Sequence, residues 1–203
     1  MIFHVLGLGE TVKEFRHAKN FSEQTIGVND VWKWHMVHYL VIVDRPERFT
    51  EERKKVIYES RQHVFFSQHD WGVNSKWCKL KFDKLRGSIE NIAEPFNYGV
   101  TDENGLKEHP DYFPLANNII PDSFPCPHSI SSPFVAACIA YKLGATEIVL
   151  WGCDYVNHPN FKENGKIERV KKDFSGLKTF LDSKNIQIRL GVAGSGALSE
   201  ILK

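Results

Sequence analysis

Neither sign of charge dominates this chain. Its 26 Lys and Arg stand against 25 Asp and Glu, a formal net charge of +1. That balance supplies no global field to draw the protein onto nucleic acid or an anionic membrane. No apolar window approaches the roughly 20 residues that a membrane-spanning helix needs. The opening Met1–Glu10 stretch has no basic segment leading into a long apolar one, so it does not read as a signal peptide. Cysteine is scarce: Cys78, Cys126, Cys138 and Cys153 are the four, and none forms a C-x-x-C pair. They read as free thiols of a reducing compartment, which gives the expectation of a cytoplasmic protein with at most a peripheral membrane role.

Several catalytic signatures are also missing. There is no G-x-x-x-x-G-K-[ST], which excludes the usual phosphate-binding loop for ATP. There is no G-x-S-x-G, which excludes the esterase nucleophile elbow. There is no D-x-D, the carboxylate pair with which many glycosyltransferases hold a metal on a diphosphate. His35 and His38 have no nearby acid to complete a metal site, so no metal is expected.

What is present is a chain of 203 residues, 42% hydrophobic, enough for one domain with a real core. Ile2–Leu6 reads as a strand entering the glycine turn Gly7-Leu8-Gly9. Thr11 and Glu14 have the spacing of a helical capping box. The turn falls short of G-x-G-x-x-G because Val12 stands where the third glycine belongs. It still lets backbone approach a ligand closely. Gln24–Asn29 reads as a second strand, and His38–Asp44, nearly all apolar, as a third that is buried on both faces. Val31–Met36 forms a turn or short helix between them. Thr50–Ser60 suggests an exposed helix, His63–Ser67 a fourth strand, Ile167–Leu181 an amphipathic helix, Ile186–Leu190 a last strand and Ala197–Leu202 a terminal helix. Strands alternating with helices predict an α/β fold: a Rossmann-like, doubly wound and mostly parallel sheet.

Residues 68–127 interrupt the alternation. Six of the nine prolines fall there and forbid long regular elements. Such a stretch within a compact chain reads as an irregular lid or insertion. Its Lys76–Arg86 portion interleaves five cations with Trp77 and Phe82. It suits either a solvated basic face or a grip on phosphates and bases.

The most informative unit is Ser129–Asn157, S-I-S-S-P-F-V-A-A-C-I-A-Y-K-L-G-A-T-E-I-V-L-W-G-C-D-Y-V-N. Ser131 or Ser132 can cap a helix, with Pro133 in its first turn. Phe134–Tyr141 is apolar all round and therefore buried. Gly144 ends the helix, and Glu147–Trp151 forms a strand that delivers Gly152-Cys153-Asp154 at its carboxyl end. In open α/β sheets ligands bind outside the carboxyl ends of the strands. Asn29, Asp30, Asp44 and Asp154 all fall at such ends. Asn29 suits a ribose or base edge there, or an Asx turn. A serine-started helix adds an anion-binding end.

This unit resembles the helix–strand core of two related groups, the bacterial lipooligosaccharide sialyltransferases and the motility-accessory-factor group with its pterin-pyrophosphokinase-like relatives. In both, a serine-containing helix start leads through a C-capping glycine to Ile-x-Leu-x-Gly-x-Asp, here Ile148 to Asp154. G-L-G-E-T resembles their first loop, usually G-x-G-P-S, with Glu10-Thr11 in place of Pro-Ser. Asn29 matches the sialyltransferases' second-strand asparagine, and Asp44 the accessory factors' third-strand acid. The resemblance implies a glycosyltransferase that uses a nucleotide sugar without a metal or other cofactor. It implies that Gly7, Gly9, Asn29 and Asp44 contact the nucleotide, that Ser131 and Ser132 hold phosphate or sugar, and that Asp154 orders the acceptor side. The histidine base of the sialyltransferases has no counterpart around Lys166–Asp173.

The expected reaction is transfer of a sugar from a nucleotide donor to a hydroxyl. His158 and Asp154 are the candidates for the general base, and His128 for a partner of the phosphate or leaving group. The acceptor classes left open are glycan, glycolipid or protein, and nucleic acid through Lys76–Arg86. A homo-oligomer is compatible with the sequence. Two other readings stay open: a pyrophosphokinase-like nucleotide-dependent transferase and a non-catalytic nucleotide-binding module.

Overall fold

The computed structural model describes residues 1–16, 23–42, 44, 48–54, 63–66, 101–102, 105–106, 131–156 and 166–202. Its main sheet has six strands: β1 (Ile2–Leu6), β2 (Glu23–Val28), β3 (Tyr39–Ile42), β4 (His63–Phe66), β7 (Glu147–Trp151) and β8 (Gln187–Leu190). They lie in the order β4-β3-β2-β1-β7-β8, and every neighbouring pair is parallel. This is the expected α/β Rossmann-like, doubly wound architecture. A two-residue antiparallel pair, β5 (Thr101–Asp102) with β6 (Gly105–Leu106), lies within the expected lid. The remainder of 68–127, Lys76–Arg86 included, is outside the described residues.

Sheet pairing follows from the side-chain pattern. Leu40, Val41 and Ile42 of β3 are all fully buried, as a strand covered on both faces requires. β3 starts one residue later than the apolar run predicts, at Tyr39, although the His38 N–H still bonds to the Thr25 carbonyl of β2 at 3.1 Å. One face of the sheet is covered by α1 (Ser132–Lys142), which packs across β1, β2, β3 and β7, and by α2 (Lys166–Asp182), which packs on β8 and α1. Phe134 of α1 and Phe174 of α2 meet edge to face at 5.5 Å at the centre of this layer. The other face holds a smaller core of Leu6, Val12, Phe15, Val31, Leu40, Ile42 and Phe49.

Helix ends behave as their residues dictate. The Ala145 N–H bonds to the Ala140 carbonyl and the Gly144 N–H to that of Tyr141, both at 3.0 Å, with Gly144 at φ +86°. That double bond is a Schellman stop. α2 ends the same way, with Asn185 at φ +58° in the left-handed position. Among the described residues no helix is long and apolar enough to cross a membrane.

Two expected helices are absent. Thr11 does not cap one: Glu10–Glu14 is a 3-10 turn whose N-cap position is Gly9. The Thr11 hydroxyl is instead drawn to the end of β7. The 197–202 stretch is a run of turns closed by the Leu202 N–H on the Leu198 carbonyl. Its bonds run mostly from i to i−3, Ser199 to Gly196 and Ile201 to Leu198, while the Ala197 N–H bonds to the Asp154 carbonyl at 2.8 Å and the Ser195 hydroxyl to that of Val192.

Candidate functional site

The strand order reverses between β1 and β7, since the chain grows outward from β1 to β4 on one side and through β7 to β8 on the other. A crevice at the carboxyl edge of that junction is where α/β sheets take ligands. Gly7, Gly9 and Asp154 meet there. The Gly7 N–H bonds to the Trp151 carbonyl at 2.7 Å, and the Gly9 N–H to the Gly152 carbonyl at 2.8 Å. The two loops touch so closely that a Cβ on Gly7 would lie 2.3 Å from the Gly152 carbonyl oxygen. On Gly9 it would lie 2.6 Å from a carboxylate oxygen of Asp154. These glycines are required by approach.

Asp154 is buried. Its Oδ2 accepts the Thr11 N–H at 2.9 Å, and its Oδ1 accepts the Thr11 hydroxyl. The Thr11 oxygen in turn accepts the Gly152 N–H at 2.9 Å. Both carboxylate oxygens are thus held by one threonine of the first loop. Thr11 is a site residue that the sequence reading assigned elsewhere.

The serine end of α1 reaches the same edge. Ser131 is the N-cap, and its hydroxyl accepts the Phe134 N–H at 3.3 Å. That hydroxyl also pairs with the Tyr155 hydroxyl, one residue beyond Asp154. Tyr155 sits at φ +54°, a left-handed conformation that turns the chain sharply after β7. Pro133 has no N–H, so within the first turn Ser132 supplies the remaining backbone donor beside its own hydroxyl. With the helix dipole this makes a site suited to an anion.

Asn29 and Asp44 form the third group. Asn29 stands at φ +49° at the end of β2, and its Nδ2 donates to Asp44 Oδ2 at 3.0 Å. Arg48 bonds the other Asp44 oxygen at 2.6 Å. Arg53 bonds Asp30 Oδ1 through Nε and a terminal nitrogen, at 3.1 and 2.7 Å, and lies over the Phe49 ring. Asn29 Oδ1 is buried with no hydrogen-bond partner. A buried acceptor without a donor is costly, and a bound hydroxyl or amino group would satisfy it.

The structure thus brings seven sequence-predicted residues, Gly7, Gly9, Asn29, Asp44, Ser131, Ser132 and Asp154, to one sheet edge. His128 and His158 lie outside the described residues. An open hollow of about 720 Å³ borders the first loop on its β8 side, walled by Thr11, Glu10, Glu14, Trp151 and the Gly191–Ala193 turn. Asn29, Asp44 and the serines do not line it. Gly7, Gly9 and Asp154 do not line it either. Among the described residues no cluster of three His, Cys, Asp or Glu could hold a metal ion.

Cys138 and Cys153 are buried free thiols in the α1–α2 layer and at the end of β7. Burial pushes both well above the usual thiol range, helped by the charge of Asp173 for Cys138 and of Asp154 for Cys153. A Gly7 backbone bond pulls Cys153 slightly the other way. Alkylation at pH 8, read by peptide mass, should therefore modify these two only after denaturant is added. The unfolded chain loses each thiol proton above pH about 8.5 while the folded chain keeps it. Stability must then fall as pH rises above that value, because the unfolded chain binds fewer protons than the folded one. Urea midpoints at pH 8 and pH 10 should show the drop, and Cys138→Ala should shrink it.

No family model matches the chain, and no curated protein matches it by sequence. Solved structures do match its shape. One is the sialyltransferase CstII from Campylobacter jejuni in complex with the substrate analogue CMP-3FNeuAc. It is 15% identical with a TM-score of 0.51, covering 100% of this chain and 84% of that one. Another is the sialyltransferase CST-II with a trisaccharide acceptor and CMP. It is 13% identical with a TM-score of 0.53, covering 100% and 85%. The chain shares the sialyltransferase fold.

Proposed function

We propose that the protein is a glycosyltransferase that moves a sugar from a nucleotide-sugar donor to a hydroxyl acceptor without a metal. One observation carries the reading. On a fold shared with a transferase solved with CMP, the glycine loop, the Asn29–Asp44 pair and the serine start of α1 all stand at the carboxyl edge of one parallel sheet. The donor we assign is a CMP-activated sugar. Asn29 Oδ1 would accept from the ribose or base, and Asp44 would hold that amide in register. Ser131 and Ser132, with the helix dipole, would receive the phosphate and stabilise its charge as the glycosidic bond breaks. Arg48 and Arg53 pair with Asp44 and Asp30 and offset those carboxylates.

The acceptor hydroxyl needs a base. His158 remains the candidate we assign, with His128 as partner of the departing phosphate. A histidine is poised to take a proton near neutral pH. The acceptor is assigned as a glycan or glycolipid hydroxyl.

CMP should raise the melting temperature of the purified protein, by mass action on the folded state. A panel of nucleotide sugars with a mixed oligosaccharide acceptor should then show transfer from the CMP-activated member. His158→Ala should slow single-turnover transfer by about 100-fold or more while leaving CMP affinity intact. Transfer at the wild-type rate would remove His158 as base. CMP binding without any turnover would reduce the protein to a nucleotide-binding module.

A further inference from the structure

Asp154 is a candidate base by its place at a strand end, yet its geometry suits another task. Each carboxylate oxygen already accepts a hydrogen bond from Thr11, one from the N–H at 2.9 Å and one from the hydroxyl. The same hydroxyl oxygen accepts the Gly152 N–H at 2.9 Å. A base must present a lone pair to the proton it abstracts. Each oxygen keeps a second lone pair, but the buried carboxylate holds the first loop in place, joining residues 143 positions apart.

We propose that Thr11 and Asp154 are a positioning pair that sets the shape of the donor-binding loop. The proposal rests on the functional reading above and refines it. Thr11 works in both directions at once, donating to one loop's carboxylate and accepting from its backbone. It therefore fixes the distance between the Gly7–Gly9 turn and the end of β7 from both sides. The surrounding contacts leave no slack. A Cβ on Gly9 would meet Asp154, and one on Gly196 would lie 2.4 Å from the Asp154 carbonyl oxygen. That carbonyl is itself bonded by the Ala197 N–H at 2.8 Å. Three segments of the chain, the first loop, the β7 end and the 194–197 turn, are thereby referenced to one residue. Thr11 also walls the open hollow beside the first loop, so the clasp borders that hollow as well as the carboxyl edge of the sheet.

A hydroxyl is the group that this arrangement needs, because only it can donate and accept in place. Thr11→Ser keeps it, and Thr11→Val removes it at nearly the same volume. Calorimetric titration with CMP should give Thr11→Ser a Kd within about threefold of wild type and Thr11→Val a Kd about 10-fold weaker or more. In transfer assays Thr11→Val should raise KM for the donor much more than it lowers kcat. Asp154→Asn should behave like Thr11→Val, and its kcat should keep the wild-type dependence on pH. Amide exchange at Gly152 and Thr11 should accelerate in Thr11→Val and not in Thr11→Ser, a readout that needs no turnover. Equal Kd values for the serine and valine variants overturn the proposal, as does unchanged exchange. Loss of the base limb of the pH profile in Asp154→Asn also overturns it and restores Asp154 as the base. A wild-type protein that binds no CMP overturns the functional reading instead, and the exchange data then separate the two failures.

Discussion

Gly7→Ala should cost the protein about 3 kcal/mol or more of stability, the upper end of what an overpacked site exacts. For a chain of this length that is a melting-temperature fall of about 6–12 °C. The added Cβ would sit 2.3 Å from the Gly152 carbonyl oxygen and 2.9 Å from its carbon, both backbone atoms of a residue already bonded to Gly9 and Thr11. Neither loop can yield without breaking the Gly7–Trp151 and Gly9–Gly152 bonds. CMP binding should fall with stability, because the crevice is made of those two loops. Gly144→Ala is the contrast. Nothing lies within 4 Å of its Cβ position, so only the left-handed φ of +86° is penalised. That costs about 1–2 kcal/mol, at a helix end far from the carboxyl edge, and CMP affinity should not change. Thermal unfolding and CMP titration of the two variants check both halves.

Phe174→Ala should be the most destabilising change in the core, by about 3–5 kcal/mol. Phe174 is fully buried and stands edge to face with Phe134 at 5.5 Å. Truncation removes the ring and leaves a cavity between α1 and α2. The consequence reaches the site because Phe134 is the residue whose N–H bonds the Ser131 cap. Loosening Phe134 loosens the serine end of α1. Melting temperature should fall by about 6–20 °C, and CMP should bind more weakly even where the protein remains folded. Phe174→Leu should recover most of both losses, since it refills most of the volume. Urea unfolding with CMP titration at low temperature measures the two effects separately.

Local chemistry made much of this fold legible. Gly144 placed the end of α1 because its left-handed stop follows from one residue. The apolar run of β3 announced a two-sided strand. Ser131 stood out as a cap because cap and proline are adjacent in the chain. What resisted reading was every feature made by residues far apart. Thr11-x-x-Glu14 has the spacing of a capping box, and only the arrival of Asp154 and Gly152 beside it turns the hydroxyl to another use. Asn29 was visible as a strand-end amide, but its bond to Asp44 and its unsatisfied oxygen depend on the β2–β3 pairing. Tyr155 gave no signal at all, since its role arises from a sharp turn after β7 that brings it to Ser131. The terminal 197–202 segment closes as turns with bonds mostly from i to i−3, and its anchor at Asp154 lies far along the chain.

Hydrogen exchange with and without CMP tests the central claim most directly. Slowed exchange confined to the first loop through Thr11, the β2 end at Asn29 and the start of α1 from Ser132 to Phe134 is the result predicted here. Protection elsewhere in the described residues, or none at saturating CMP, would contradict a nucleotide-sugar crevice at the carboxyl edge.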